Sequence, residues 1–344
     1  MEILRQNVGI DIGKDSFVAT MTVLLEGQEV KHLATKTFQN NPKGIKEFYL
    51  WAKKAKPDVS QVNFTMEATG VYYENLAYYL FGKKETVHVL LPNKAKKFAG
   101  SLNIKSKTDK IDSKTLGQMG VERKLMKWEL SSNIYRKMRT LTRERKQLVK
   151  ESTRIKNQIH AEEYSAEPLR STIRRMKSHL NFLGKQIKKI EQELRKLVNT
   201  DETLSQKIRQ ITSVPGLNFI TVASIVAETQ GFANITSIKQ LTSYAGYDIQ
   251  IKQSGKWKGK PAISKIGNKH IRAALFMPSL SAKSHTETYR KFYERLNEKK
   301  QNGLITGAAV QRKLLGLVYT LWKNNATFID NYQSQKTINS VSVQ

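Results

Sequence analysis

The residues from Ile173 to Leu197 constrain this chain more than any other stretch. Ile173, Met176, Leu180, Leu183, Ile187, Ile190, Leu194 and Leu197 recur at alternating steps of three and four. That is the a/d repeat of a helix whose apolar seam needs another helix against it. Upstream, Ile134, Met138, Leu141, Leu148, Ile155 and Ile159 supply a second seam, broken at Arg145 and Ser152, and Glu162–Pro168 (EEYSAEP) reads as the tip between the two. The expectation is a long antiparallel coiled-coil arm, or two helices pairing within a homo-oligomer, a dimer or tetramer. From Ile134 to Val198 there are 18 Lys/Arg against 7 Glu, so the outer faces are basic. A solvated coil surface and a nucleic-acid contact both account for that charge.

The arm divides the 344 residues into an N-terminal part (1–125), the arm itself (126–205) and a C-terminal part (206–344). A formal charge of +30 is spread over most of the chain, which favours phosphate-rich partners. There is no cysteine, which excludes disulfides, thiolate metal sites and thiol catalysis. The opening MEILRQNVGIDIG lacks a charged segment followed by an apolar one, and no apolar run reaches the length of a membrane span. The expectation is a soluble cytoplasmic protein, associated with nucleic acid and not with a membrane.

In the N-terminal part, Asn7–Gly13, Phe17–Leu24, Val30–Phe38, Val62–Glu67 and Val87–Leu91 read as strands. Helices are expected over 42–54, over 71–80 and from Asp109. Two strands end on acids, Asp11 and Glu67, and an acid in an apolar strand is costly to bury without compensation. Lysines at the sheet edge, such as those of Lys94–Lys97, would be one compensation. The other is convergence with Asp109 and Asp112 of KSKTDKIDSKTL, whose spacing stacks them on one helix face. Taken alone, those two acids also suit the first turn of a helix. Four converging carboxylates require cations, and an all-oxygen set suits Mg²⁺ or Mn²⁺.

In the C-terminal part, Ile211–Glu228 is similar to a helix-hairpin-helix, with Asn218 where a second glycine is usual. Asn tolerates positive φ, so the turn is expected to survive, whether as a phosphate contact or as a structural hairpin. Lys252–Lys283 then places Ser254 and Gly255 in a loop with Lys252, Lys256, Lys258 and Lys260, and a helix begins near Asn268. Small residues and lysines suit phosphate binding. The tail, Tyr289–Asn325, reads as helical, with Tyr319 and Trp322 as packing residues and a polar end from about Gln333.

Three stretches resemble the RuvC-like branch of the ribonuclease H fold: VGIDIGKD with Asp11, FTMEATGVYYE with Glu67, and KTDKIDSKTL with Asp109 and Asp112. Their order is similar to the DEDD tetrad of insertion-sequence recombinases. SG…ISK-x-GN-x-x-I-R resembles the C-terminal transposase domain of the same family, although Ala245-Gly246-Tyr247-Asp248-Ile249 departs from its usual Ala-Gly-Leu-x-Pro. The resemblance implies an α/β plus α protein: a RuvC-like mixed sheet, a helical arm and a mainly helical C-terminal domain. It implies Mg²⁺ (or Mn²⁺) held by Asp11, Glu67, Asp109 and Asp112, and Ser254 as a nucleophile that links covalently to DNA. It also implies a structured guide RNA that pairs with target and donor DNA. Lys105, Lys107 and Lys110 beside the acids, with Lys265, Asn268 and Arg272 of the signature, complete the candidate nucleic-acid contacts. Hydrolysis by the acids with Ser254 only binding phosphate, and a non-catalytic basic scaffold, are the other readings open at this stage.

Overall fold

Along the first strand, small or polar residues alternate with apolar ones: Asn7, Gly9 and Asp11 point one way, Val8, Ile10 and Ile12 the other. That alternation sets the architecture of the N-terminal unit. The computed structural model describes residues 2–57, 61–104, 106–130, 132–259 and 261–329. It divides into two compact units, Met1–Leu130 and Ser131–Gln344. Lys105, Lys260 and the polar end from Gln333 lie outside the described residues.

The first unit runs β1 (Ile3–Ile12), β2 (Ser16–Leu25), β3 (Val30–Gln39), α1 (Pro42–Ala55), β4 (Asn63–Glu67), α2 (Glu74–Gly82), β5 (Thr86–Leu90), α3 (Pro92–Ser101) and α4 (Asp109–Glu122). The sheet order is β3-β2-β1-β4-β5. The first three strands form an antiparallel meander, and β4 and β5 continue it in parallel. This is the mixed sheet expected from the sequence. Its apolar face buries Val8, Ile10, Phe17, Met21, Phe64 and Met66 with Phe48 of α1 and Leu76 of α2. Helix α2 starts at Glu74, later than the expected Val71, because Gly70 takes a positive φ of 56° and residues 69–74 form successive turns.

The opposite face is polar, and α4 covers it. A side chain at Gly9 would collide with the backbone of Ser113 and Gly117, and one at Gly120 would meet the amide of Asn7. Glycines on both sides therefore let helix and strand touch backbone to backbone. The buried polar groups find partners: Thr20 Oγ1 lies 2.8 Å from Ser113 Oγ, Thr65 Oγ1 donates to Asn7 Oδ1 at 2.9 Å, and Asn7 Nδ2 donates to the Gly117 carbonyl at 3.4 Å.

In the second unit, α5 (Asn133–Glu163) and α6 (Arg170–Asn199) form a helical hairpin. Its distal part packs Ile155, Ile159 and Leu183 with Leu148, Ile173, Met176 and Leu180. At the seam break, Arg145 Nε donates to Glu191 Oε1 across the hairpin at 2.6 Å. Its base shares one core with the helices that follow, through Met138, Leu141, Ile190, Leu194 and Val198. Those helices are α7 (Glu202–Thr212), α8 (Phe219–Thr229) and α9 (Ile238–Ala245), then α10 (Lys269–His285), α11 (Glu287–Lys300) and α12 (Gly303–Asn324). The tail expected to be helical is helical, as two helices separated where Gln301 is left-handed and Asn302 caps α12. Tyr319 and Trp322 are buried against Phe232, as packing residues. Between α7 and α8, Asn218 has φ −113° and caps α8 through Thr221 N, so it does not take the left-handed role expected of it. Gly216 does (φ 87°), and it lies against the backbone of α10. No helix among the described residues is long and apolar enough to cross a membrane.

Candidate active site

The register of β1 and β4 puts the first two acids side by side. Ile10 pairs with Met66 in a parallel ladder, so the next residues along, Asp11 and Glu67, end neighbouring strands, about 4.8 Å apart in strand spacing. Asp11 shares the face of Asn7 and Gly9, the face that α4 covers. Gly120 meets Asn7 and Gly117 meets Gly9, so α4 runs antiparallel to β1, and its first turn, with Asp109 and Asp112, reaches the Asp11 end. Thr108 holds the N-cap position, its hydroxyl accepting from Ile111 N at 3.2 Å. The N-cap role is thus taken by Thr108, and Asp109 and Asp112 stand in the first turn, where the helix dipole favours them as well.

The electrostatics follow from this convergence. The Asp11 carboxyl is pushed up to about 6, by burial first and then by Asp112, Asp109 and Glu67, with Lys107 opposing. Burial also raises Glu67, while Lys107 and a hydrogen bond from Thr69 hold it back and Asp112 adds to the rise. The cation facing both acids is thus Lys107, not the Lys94–Lys97 group. Among the described residues, no three acidic or histidine side chains are close enough to form a finished metal cage. The donor chemistry nevertheless fits a hard divalent cation, with four carboxylates, like-charge repulsion and no soft ligand.

Ser254 belongs to a separate small element. Strands β6 (Ile249–Gln250) and β9 (Ala262–Ile263) pair at its base, and β7 (Gln253–Ser254) and β8 (Trp257–Lys258) pair at its tip. A two-residue turn, Gly255-Lys256, joins β7 to β8, with Gly255 at φ 54°. Ser254 is exposed, as are Lys252, Lys256, Lys258 and Lys265, and so are Lys107 and Lys110 in the first unit. Asn268 and Arg272 are engaged with the protein itself. Asn268 caps α10 and donates through Nδ2 to Glu228 Oε2 at 2.7 Å, and Arg272 donates to the Ala245 carbonyl at 2.7 Å. The departure at Tyr247-Asp248 is accommodated: Tyr247 is buried and bonds Gln311, while Asp248 accepts from Ser264 Oγ at 2.6 Å.

Glu228 is the residue that sequence reasoning missed. It is 3% exposed and accepts from Arg143 Nε at 2.7 Å, from Arg143 Nη2 at 2.9 Å and from Asn268. Burial raises its carboxyl, but Arg143 and Asn268 outweigh it, and the carboxyl stays below the ordinary range. It ties the base of the arm to the start of α10, just after the serine hairpin. The one available signal was an acid at the end of the apolar run ITVASIVAE.

Comparison with known proteins follows the same division. An IS110-type DEDD transposase model matches residues 8–162, and the model for the transposase IS116/IS110/IS902 family matches residues 208–294. The pilin gene-inverting proteins of Moraxella bovis and Moraxella lacunata are each 27% identical over 328 residues, 93% of this chain and 97% of theirs. Among solved structures, Thermus thermophilus RuvC aligns with 36% of this chain and 99% of its own, at 9% identity and a TM-score of 0.27. The T. thermophilus RuvC in complex with Holliday junction substrate aligns with 33% and 90%, at 9% identity and 0.25. The first family model takes in the four acids and the second takes in the serine hairpin, in chain order and together over well more than half the length, and the chain belongs to the IS110 family of DEDD transposases.

Proposed function

We propose that this protein is a DNA recombinase that cuts and rejoins strands through a covalent phosphoserine, with a structured RNA choosing target and donor. The observation that supports the reading is the convergence of Asp11, Glu67, Asp109 and Asp112 in the first unit, which adds to burial in pushing the Asp11 carboxyl up to about 6; the second unit carries an exposed serine on its own hairpin. Asp11, Glu67, Asp109 and Asp112 would hold Mg²⁺ or Mn²⁺. Bound there, the ion supplies charge stabilisation to the phosphoryl oxygens.

Ser254 Oγ attacks phosphorus: the Oγ–P bond forms as the P–O3′ bond breaks. The hydroxyl proton passes to solvent, and a solvent proton completes the 3′-hydroxyl. One phosphodiester replaces another, so a 3′-hydroxyl can re-enter and the exchange needs no ATP. Exposed lysines at the hairpin and beside the acids hold the backbone of the DNA. The arm joins protomers into a dimer or tetramer.

Two measurements test this reading. Protein expressed with its flanking DNA is purified through high salt, and the nucleic acid that stays bound is sequenced. One discrete RNA is expected; a mixed pool that washes off would remove the guide from the proposal. Ser254→Ala is then compared with wild type on that DNA by denaturing electrophoresis. Loss of both the protein–DNA adduct and strand exchange is expected. Cleavage that persists without the serine would point instead to hydrolysis by the carboxylates.

A further inference from the structure

The residue paired with Ser254 across the hairpin is Trp257. Residues directly opposite in an antiparallel pair project to the same face, with Cβ atoms about 5 Å apart. Trp257 is 60% exposed. Its six-membered ring lies over Gly259, where an added Cβ would stand 2.7 Å from Cη2, so glycine gives the ring a shelf while the rest stays open to solvent. The other tryptophans are shielded: Trp51 and Trp128 pack among aromatic rings and Trp322 is 6% exposed.

An exposed indole beside a candidate nucleophile presents a flat aromatic face on which a partner can stack. The surroundings say what kind. From Ile249 to Lys283 there is no acidic residue, while Lys252, Lys256, Lys258 and Lys265 are exposed in the same segment. A partner that is polyanionic and also offers flat apolar faces is nucleic acid with an unstacked base. We infer that Trp257 is the base-stacking residue of the serine hairpin, holding the nucleobase next to the phosphate that Ser254 attacks. The stacking depends only on the indole and its lysines; its place beside the reacting phosphate rests on the function proposed above. Lysines grip any phosphate along a strand, whereas a stacked base fixes which phosphate lies beside the hydroxyl. Trp257 is thus a positioning residue.

The test uses the full-length protein at moderate salt, with a dT oligonucleotide and a sugar–phosphate chain of equal length lacking bases. Wild type is expected to bind dT about tenfold more tightly than the abasic chain, within the range for one aromatic–base stack. Its long-wavelength tryptophan emission should be quenched by dT. Trp257→Ala removes both the preference and the quenching while keeping the salt slope, since no phosphate contact is lost. Trp257→Phe keeps most of the preference, and circular dichroism of both variants should match wild type. An undiminished preference in Trp257→Ala, or no quenching in wild type, overturns the inference. The two readings fail separately. Ser254→Ala should lose the DNA adduct and keep the quenching, whereas an adduct that survives Ser254→Ala sinks the phosphoserine reading and leaves the stacking result intact.

Discussion

The two candidate centres are built in opposite ways. The carboxylates stand on strand ends and on a helix locked to the sheet through Gly9, Gly117 and Gly120, whereas Ser254 stands on a hairpin of two-residue strands with an exposed tip. A charge-stabilising site must hold like charges at fixed spacing before substrate arrives, and only rigid packing does that. The nucleophile proposed at Ser254 would have to reach its substrate, and a solvated hairpin leaves it accessible. If this contrast is right, the two glycine-dependent regions respond differently to mutation. The largest effect belongs to Gly9→Ala. Its methyl group would enter the backbone of α4, and neither partner is a flexible side chain. A loss of about 3 kcal/mol is expected, at the upper end for overpacking, read by urea unfolding. A loss under ~0.5 kcal/mol, ordinary for a surface substitution, would mean that α4 is not locked.

That lock also shows how much of the molecule the sequence carried. Apolar periodicity gave the strands of the first unit, and the step pattern from Ile173 gave α6, because burial of one face is a local property of sequence. The four acids were legible as strand-end and first-turn residues. The polar face of the sheet was not read, although Asn7, Gly9, Thr20, Thr22 and Thr65 alternate in period two. Such residues read as weak strand positions until a glycine-bearing helix covers them. The capping role of Asn218 was missed because a turn glycine and an N-cap Asn occupy neighbouring places in a hairpin, and only φ separates them. Glu228 escaped because its partners Arg143 and Asn268 are 85 and 40 residues away in sequence.

The Glu228 network sets the foundation of the second region, and breaking it comes next in size. Its carboxylate is 2% exposed while Arg143 is 47% exposed. In Glu228→Gln the guanidinium can turn to water, which lowers the cost to about 2 kcal/mol from the 3–5 of a fully buried pair. The pH dependence follows from the direction of the shift. The folded carboxyl titrates below its ordinary 4.5, so the contribution of Glu228 is complete above that value and is lost as pH falls through the depressed folded value. Thermal unfolding followed from pH 6 downward should show wild type losing its advantage over the variant in acid. A constant gap would show that Glu228 is not held as a carboxylate.

The first region should respond to charge removal with the opposite sign. Asp11 is destabilised by burial and by three neighbouring acids, so Asp11→Asn relieves repulsion in metal-free protein. After allowance for solvent screening, the gain is about 1 kcal/mol. Melting in EDTA is expected to rise in the variant, and added Mg²⁺ should stabilise wild type more than the variant. Equal Mg²⁺ stabilisation of both would separate the acids from metal binding.

The smallest effect on stability, and the sharpest test of the contrast, is at the hairpin tip. Gly255 is glycine for a different reason from Gly9: nothing lies within 4 Å of a Cβ built there, but its φ is +54°. A β-branched residue resists that conformation and Asn accepts it. In Gly255→Val the turn opens and the pairing of Ser254 with Trp257 is lost, yet the hairpin contributes little to the core, and global unfolding should move by less than about 0.5 kcal/mol. Formation of the DNA adduct should fall in Gly255→Val and recover in Gly255→Asn. If Gly255→Val instead unfolds the protein as Gly9→Ala does, the hairpin is part of the scaffold, and the division into a rigid acidic centre and a solvated nucleophile fails.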